Sequence, residues 1–280
     1  MSTLTTDVSG GIATLTFNQP ETLNVITSED YTVLAEELRR IDTRDDVVVT
    51  LLQATGRWFC AGTDVKPQGQ NYESLVTVTD NFVGRVVRPN TDVNRALYSH
   101  SKVLVAALNG PVMTFLGHFD FIYCVSDAWL FVPFSFLGKY HLEAATVDSD
   151  IVVGIISEAG SSVSFVNRMG LSKANEALIF GKKIEAEELL ACGFVKKIFP
   201  RQSCESFHAA VRKHLEGQLE GLDPTAVLKI KELIQYGINE KNSKDGTNLR
   251  ESFAQAERFA SGVPMERFFK VATKEIKHKL

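Results

Sequence analysis

A chain of 280 residues with 44% hydrophobic and 23% charged side chains has material for one large α/β domain or two small ones, with a buried core. Its formal net charge of −4 argues against nucleic acid as the main partner, because phosphate recognition draws on a clear excess of Lys and Arg. No run of about eighteen apolar residues occurs, so no membrane span is expected, and the opening MSTLTTDVSGG lacks the basic and apolar regions of a secretory signal.

Gly11 to Phe17, GIATLTF, alternates Ile12, Leu15 and Phe17 with small or polar neighbours and reads as a strand ending in the turn NQP. Ser28 is placed to cap a helix with Tyr31 at its third position, and Leu34, Leu38 and Ile41 recur at helical spacing. Asp45 and Asp46 close that element. Val47 to Leu52 is a continuous apolar run, the pattern of a strand covered on both faces, and strand, helix and strand make a right-handed crossover. Tyr72 to Tyr98, with Leu75, Val78, Phe82, Val86 and Val93, reads as a helix broken near Pro89. Lys102 to Leu108 is the next buried strand; Asn109, Gly110 and Pro111 punctuate it, and a short helical stretch leads to two strands, FIYCV and WLFVPF.

After Gly160 the pattern is mainly helical, with a short strand near Phe194 to Phe199 and helices around Val227 to Ile234, Leu249 to Phe259 and Met265 to Ile276. No low-complexity linker interrupts the chain. One domain is expected, with residues 1–200 as its core and 201–280 as a helical region of the same domain. Cys60, Cys124, Cys192 and Cys204 form no CxxC pair and read as buried thiols of a reducing compartment. His100, His118, His141, His208, His214 and His278 lack the spacings that put two imidazoles on one metal, so no metal is expected. The final His278, Lys279 and Leu280 are a near variant of the SKL tripeptide that the peroxisomal import receptor reads, which makes the peroxisome the expected compartment.

Two junctions after buried strands are rich in small residues: RWFCAGTD, Arg57 to Asp64, and NGPVMTFLG, Asn109 to Gly117. Backbone N–H groups at such junctions have no intrahelical acceptor, and two aimed at one point stabilise a developing negative oxygen. Alone, Gly62 and Gly110 read as tight-turn residues. With the opening GIATLTFNQPETLNVIT, however, the two loops resemble the crotonase (enoyl-CoA hydratase/isomerase) superfamily. Its NRPxxxNAL-like turn, FxAGxD and NGxAxGGG segments stand here, in the same order, as Asn18 to Ile26, Phe59 to Asp64 and Asn109 to Leu116, within roughly the first 200 residues.

That resemblance implies an α/β fold, a crotonase-like spiral of ββα units with a helical carboxyl-terminal region that trimerises. It also implies an acyl-CoA thioester as substrate, no cofactor beyond the coenzyme A the substrate carries, and a homotrimer or homohexamer. Carried over position by position, it makes the backbone N–H groups of Thr63 and Phe115 the oxyanion donors and places Ala61, Gly62, Asp64 and Gly110 at the substrate. Asp64 has a second reading as a helix cap. Thr114 stands where the family has a glycine.

The two glutamates with which the family's hydratases activate water correspond here to His118 and Phe134, so simple hydration has no evident agent. IISEAGSSVSF, Ile155 to Phe165, resembles instead the SPEGCSS-like segment of the peroxisomal 3-enoyl-CoA to 2-enoyl-CoA isomerases and implies Glu158 as the single base that moves a proton from C2 to C4. Burial beside Ile155, Ile156 and Ala159 is expected to raise its pKa. A helix-start carboxylate favoured by the dipole is the other reading of Glu158; a packed polar residue is the other reading of His118. A hydratase or dehydratase with an altered acid, for which His118 is a candidate, and a crotonase-fold CoA-binding protein without catalysis, are the alternative functions.

In the family FxxLG runs directly into the segment bearing this glutamate, whereas here the sixteen residues from Lys139 to Gly154 intervene. They are read either as a surface insertion, which loop entropy tolerates at about 0.6 kcal/mol per doubling of length, or as a retained intron translated in frame. Gly138, Lys139 and Tyr140 can be encoded with GTAAGT, Ser149 and Asp150 with CTGAC, and Val153 with Gly154 can supply a closing AG. Sequencing the transcript and gene decides this: the intron reading expects a spliced message joining FLG to IISEAG, and genomic DNA lacking GT and AG at those points removes it.

Overall fold

The structure is a computed structural model and describes residues 3–64, 82–113, 116–135, 155–264 and 266. It opens with a strand that the sequence pattern did not show, β1 (Leu4–Ser9), paired antiparallel with β2 (Ile12–Phe17). Gly10 and Gly11, at φ 57° and 75°, make the two-residue turn between them, because both positions need positive φ and only glycine adopts it without strain. β1 is an edge strand that buries little on one face, so LTTDVS carries little apolar signal.

Helix α1 (Ser28–Asp42) buries Leu34, Ala35, Leu38 and Ile41, as the periodicity requires. Its cap is Thr27, not Ser28. Thr27 Oγ1 accepts from Asp30 N at 3.1 Å, and Asp30 Oδ2 accepts from Thr27 N at 2.9 Å, a reciprocal capping box that satisfies two N–H groups otherwise left without partners. The helix ends at Asp42, ahead of Asp45. β3 (Val49–Ala54) then runs parallel to β2 in the register Ile12 to Val49, two residues later than the apolar run suggests. Val47 and Val48 are buried but lead into the strand.

Residues 65–81 lie outside the described part, including the first ten residues of the helix expected from Tyr72. Where the chain is described again, Val83–Asp92 is wound as a π-type helix that accommodates Pro89, and α2 (Val93–Tyr98) follows. β4 (Val103–Leu108) and β5 (Phe121–Val125) continue the parallel sheet, and β8 (Lys197–Phe199) closes it, giving the order β1-β2-β3-β4-β5-β8. No helix forms among the described residues between β4 and β5. Only Trp129–Leu130 of WLFVPF pairs, as β6, with the unexpected β7 (Ile184–Glu185).

The helices α3 (Ser161–Leu178), α4 (Ala186–Ala191), α5 (Cys204–Leu219), α6 (Pro224–Lys241) and α7 (Lys244–Ala260) make up the remainder, the last two longer than the periodic patterns Val227 to Ile234 and Leu249 to Phe259. Nearly all of the Met265 to Ile276 segment lies outside the described residues, as do Phe115, Lys139 to Gly154 and His278 to Leu280. No described helix is long and apolar enough to cross a membrane. Because β2, β3 and β4 are parallel, the segments that follow them emerge at one edge of the sheet, where parallel α/β sheets form ligand sites. Thr27→Ala is expected to cost about 1 kcal/mol of stability, and Ser28→Ala less than half of that, in urea denaturation.

Candidate active site

Three segments meet at that edge. After β2 the chain turns through Leu23 and Asn24, both in the left-handed region at φ 57° and 54°. Buried Asn24 holds the turn from inside: its Nδ2 donates to the carbonyls of Thr55 and Trp58, each at 2.8 Å, and its Oδ1 accepts from Gln19 N at 2.9 Å. Residues 61–64 then run alongside, with Ala61 N donating to Leu23 O (3.0 Å), Ile26 N to Gly62 O (2.9 Å) and Asp64 N to Ile26 O (2.9 Å). In this parallel alternation the N–H of Thr63 faces away from Ile26, and it has no backbone acceptor among the described residues.

On the opposite side Phe59 N donates to Pro111 O (3.0 Å) and Met113 N to Cys60 O (2.9 Å), which ties the segment after β4 to the segment after β3. Gly110 sits at the closest approach: a Cβ there would lie 2.1 Å from Arg57 O. Gly62, at φ 95°, turns the chain toward Thr63. The structure thus brings Ala61, Gly62, Thr63, Asp64 and Gly110 together on two zipped segments. Phe115, the second expected donor, is outside the described residues, as is any helix that Asp64 could cap.

Glu158 stands just ahead of α3, on a turn in which Ala159 (φ 56°) and Gly160 (φ 71°) are both left-handed. Ala159 N donates to Asn90 Oδ1 at 2.7 Å and Gly160 N to Glu251 Oε2 at 2.7 Å. Glu251 Oε1 accepts from Ser162 N at 3.0 Å and from the Ser162 hydroxyl. The carboxylate at the start of α3 is therefore that of Glu251, reaching across from α7. The reading of Glu158 as the helix-start anion is corrected. Instead, Glu158 Oε2 accepts from Gln255 Nε2 at 2.9 Å, and Gln255 Oε1 accepts from Ile156 N at 3.3 Å.

Although Glu158 keeps partial exposure, its carboxyl is enclosed enough for burial to push its pKa from 4.5 up to about 8, assisted by the charge of Glu251 and opposed by the Gln255 amide. The sequence anticipates the direction from Ile155, Ile156 and Ala159 but misses Glu251. Tyr31, buried in α1, links the two halves of the site. Its hydroxyl lies 2.7 Å from Thr63 Oγ1, and burial, with the charges of Cys60 and Glu158, drives its pKa well above 10.0.

His118 packs edge-on to Tyr98 with ring centroids 5.7 Å apart, and its Nε2 lies 2.4 Å from where a Cβ on Gly160 would be. Burial first, then the charge of Lys244, lowers its pKa to about 3. Phe134, at the other hydratase position, packs against the core. A cavity of about 500 Å³ borders the same turn, lined by Gly160, His118, Phe121, Ile230 and Ile234 among others. Neither Thr63 nor Glu158 lines it, and its walls also carry Asp120, Arg168, Lys231 and Lys244. Among the described residues no three His, Cys, Asp or Glu side chains gather as metal ligands.

Five residues that shape the site, Asn24, Tyr31, Asn90, Glu251 and Gln255, escaped the sequence reading. The two on α7 belong to a polar stripe whose burial only the structure shows. Thr247, Asn248, Glu251, Ser252 and Gln255 form one helical face of α7 and are all buried, while Leu249 and Phe253 on the other face are 51% and 69% exposed. The usual expectation that a helix buries its apolar side is inverted here.

The enoyl-CoA hydratase/isomerase family matches residues 7–244. A Delta(3,5)-Delta(2,4)-dienoyl-CoA isomerase of Pyricularia oryzae is 35% identical over the whole of both chains. A 3,2-trans-enoyl-CoA isomerase of Saccharomyces cerevisiae is 30% identical over 93% of this chain and 91% of its own. Some other relatives carry the word peroxisomal in their names. Among solved structures, an enoyl-CoA hydratase/isomerase from Pseudoalteromonas atlantica superposes with a TM-score of 0.77 at 27% identity, covering 98% of each chain. The chain belongs to the enoyl-CoA hydratase/isomerase family and has its crotonase fold, a mixed α/β arrangement with a parallel sheet and carboxyl-terminal helices.

Since Glu158 has a folded-state pKa near 8 against 4.5 ordinarily, the folded protein holds its proton more tightly, and stability is lost as pH rises from 4.5 through 8. Glu158→Gln is therefore expected to melt above the wild type at pH 8, with the difference vanishing towards pH 4.5 in calorimetry.

Proposed function

We propose that this isomerase shifts the double bond of 3-enoyl-CoA thioesters to trans-2-enoyl-CoA, with Glu158 as the base. The observation that carries the reading is a single carboxylate with a pKa near 8, hydrogen-bonded through one oxygen and acting by its charge on Tyr31, whose hydroxyl is hydrogen-bonded to Thr63. In this reaction Glu158 removes a proton from C2, and the electrons move into a dienolate whose thioester oxygen is held by the N–H groups of Thr63 and Phe115. The same carboxyl group returns the proton to C4, on the same side of the chain, so no water or second acid is consumed. A base with a conjugate acid near pH 8 is matched to reversible transfer from an acidified carbon. A weaker one would favour the ground state.

The hydratase alternative finds no support at His118. An imidazole whose conjugate acid titrates near pH 3 is too weak a base to activate water, and it is packed between Tyr98 and Gly160. The dienoyl-CoA isomerase reading rests on the relative from Pyricularia oryzae. Moving a 3,5-diene to a 2,4-diene returns the proton at C6 rather than C4, beyond one carboxylate centred on C2 and C4, so the monoene is the favoured substrate.

The peroxisome is the proposed compartment, supported by relatives named for it and by the terminal His278, Lys279 and Leu280. A homotrimer or homohexamer is supported by the apolar face of α6, where Ile230, Leu233 and Ile234 are each more than half exposed. Wild-type protein is expected to convert 3-hexenoyl-CoA, followed by the absorbance of the 2-enoyl thioester, with kcat/KM rising through a pH near 8. Glu158→Gln should lower kcat by about 100- to 10,000-fold. No turnover by the wild type, or equal turnover by the variant, overturns the assignment.

A further inference from the structure

The longest-range polar contacts around the turn bearing Glu158 come from α7. Gln255, only 1% exposed, uses both ends of its amide there: Nε2 donates to Glu158 Oε2 at 2.9 Å, and Oε1 accepts from Ile156 N at 3.3 Å. The amide spans from the backbone two residues before the base to the base's own carboxyl, which fixes where that carboxyl points. One turn earlier on the same face, Glu251 is 5% exposed and accepts from Gly160 N, Ser162 N and the Ser162 hydroxyl, so it pins the chain two residues after the base. Ser252, between them on that face, accepts from Asn90 Nδ2 at 3.1 Å, and Asn90 in turn holds Ala159 N. A helix that buries polar groups and leaves Leu249 and Phe253 exposed is shaped by what those polar groups hold.

We propose that Gln255 and Glu251 on the buried face of α7 are positioning residues for Glu158, Gln255 orienting its carboxyl and Glu251 fixing the turn that carries it. The proposal rests on Glu158 being the base. Its electrostatic consequence follows from the same contacts: the Gln255 amide stabilises the Glu158 carboxylate, and the Glu251 charge disfavours it. Among the described residues the titratable groups around Glu158 are Glu251 on α7 and Tyr31 on α1, with His118 behind Gly160. Tyr31 titrates well above pH 10.0 and His118 near pH 3, so neither changes charge between pH 5 and pH 9. Glu251 is itself raised by burial and drawn back by its three donors, with Arg250 acting on it from the same helix.

The test uses the full-length protein and two substitutions, with 3-hexenoyl-CoA as substrate. Glu251→Gln keeps an amide oxygen for Gly160 N while removing the charge. The midpoint of kcat/KM against pH should fall by about one unit or more, with KM changed less than about twofold. Gln255→Leu removes the amide and keeps the bulk. The midpoint should rise and kcat should fall by about tenfold or more. Carbon-13 NMR of the Glu158 carboxyl in unliganded protein should show both shifts without turnover. If the two variants lose stability or kcat while both midpoints stay at the wild-type value, α7 is scaffolding alone and the proposal is overturned. Should Glu251→Gln fail to fold, Gln255→Leu leaves the Glu251 contacts in place and reads the same midpoint. Glu158→Gln separates the two claims: near-wild-type turnover removes Glu158 as the base, while a variant without activity beside unshifted midpoints removes only the role of α7.

Discussion

The carboxyl group of Glu158 is held where its own charge is disfavoured, and the constraint that keeps it there falls on two consecutive backbone residues. Ala159 and Gly160 are both left-handed. For an alanine this conformation costs about 1 kcal/mol or more, and it turns two N–H groups inward. Asn90 and Glu251 accept them. Losing either acceptor would leave a buried donor unpaired, at about 1 to 3 kcal/mol. The strained turn is thus over-determined from two sides, by the π-type helix before β4 and by α7. Pro89 gives the first of these its shape: it lacks an N–H and crowds the preceding turn, and the wider winding leaves Asn90 fully buried beside Ala159.

The buried face of α7 answers to the same requirement. Burying Thr247, Asn248, Glu251, Ser252 and Gln255 gains little net stability over an apolar face of similar volume, because each group gives up water for its partner. What such a network supplies is a unique docking position: a slide along the helix axis by one residue would strand several donors and acceptors together. Apolar packing tolerates small shifts far better. The base role proposed for Glu158 calls for the stricter arrangement, since an error of about 1 Å is costly in such reactions.

Two titratable side chains flank Gly160, and their environments drive them apart. His118 is held neutral by burial and nearby cations, down to about pH 3, while Glu158 is raised to about 8 by burial and the Glu251 carboxylate. The first cannot accept a proton near neutral pH, and the second can accept one and give it back. Environment more than residue type therefore sets which of the two groups can exchange a proton near neutral pH. Tyr31 adds a link that neither motif contains, joining Thr63 to the field of Glu158 from beneath the sheet edge.

The sequence by itself determined the parallel core and the small-residue loops that follow β3 and β4. Leu34, Leu38 and Ile41 mark α1 through their spacing, VVVTLL marks a doubly covered strand, and FCAGTD, NGP and SEAG mark the family, because each signal lies within about ten residues of chain and reflects a backbone period or a turn. Boundaries slipped where several side chains could serve, as Thr27 displaced Ser28 once Asp30 completed its box. Only the tertiary structure decided what surrounds Glu158. Gln255 lies 97 residues from Glu158 and Asn90 lies 69 from Ala159, and a polar stripe on a helix carries no mark of whether water or a distant turn will satisfy it. Polar groups declare the need for a partner in the sequence, but the partner is chosen by which surfaces the fold closes together.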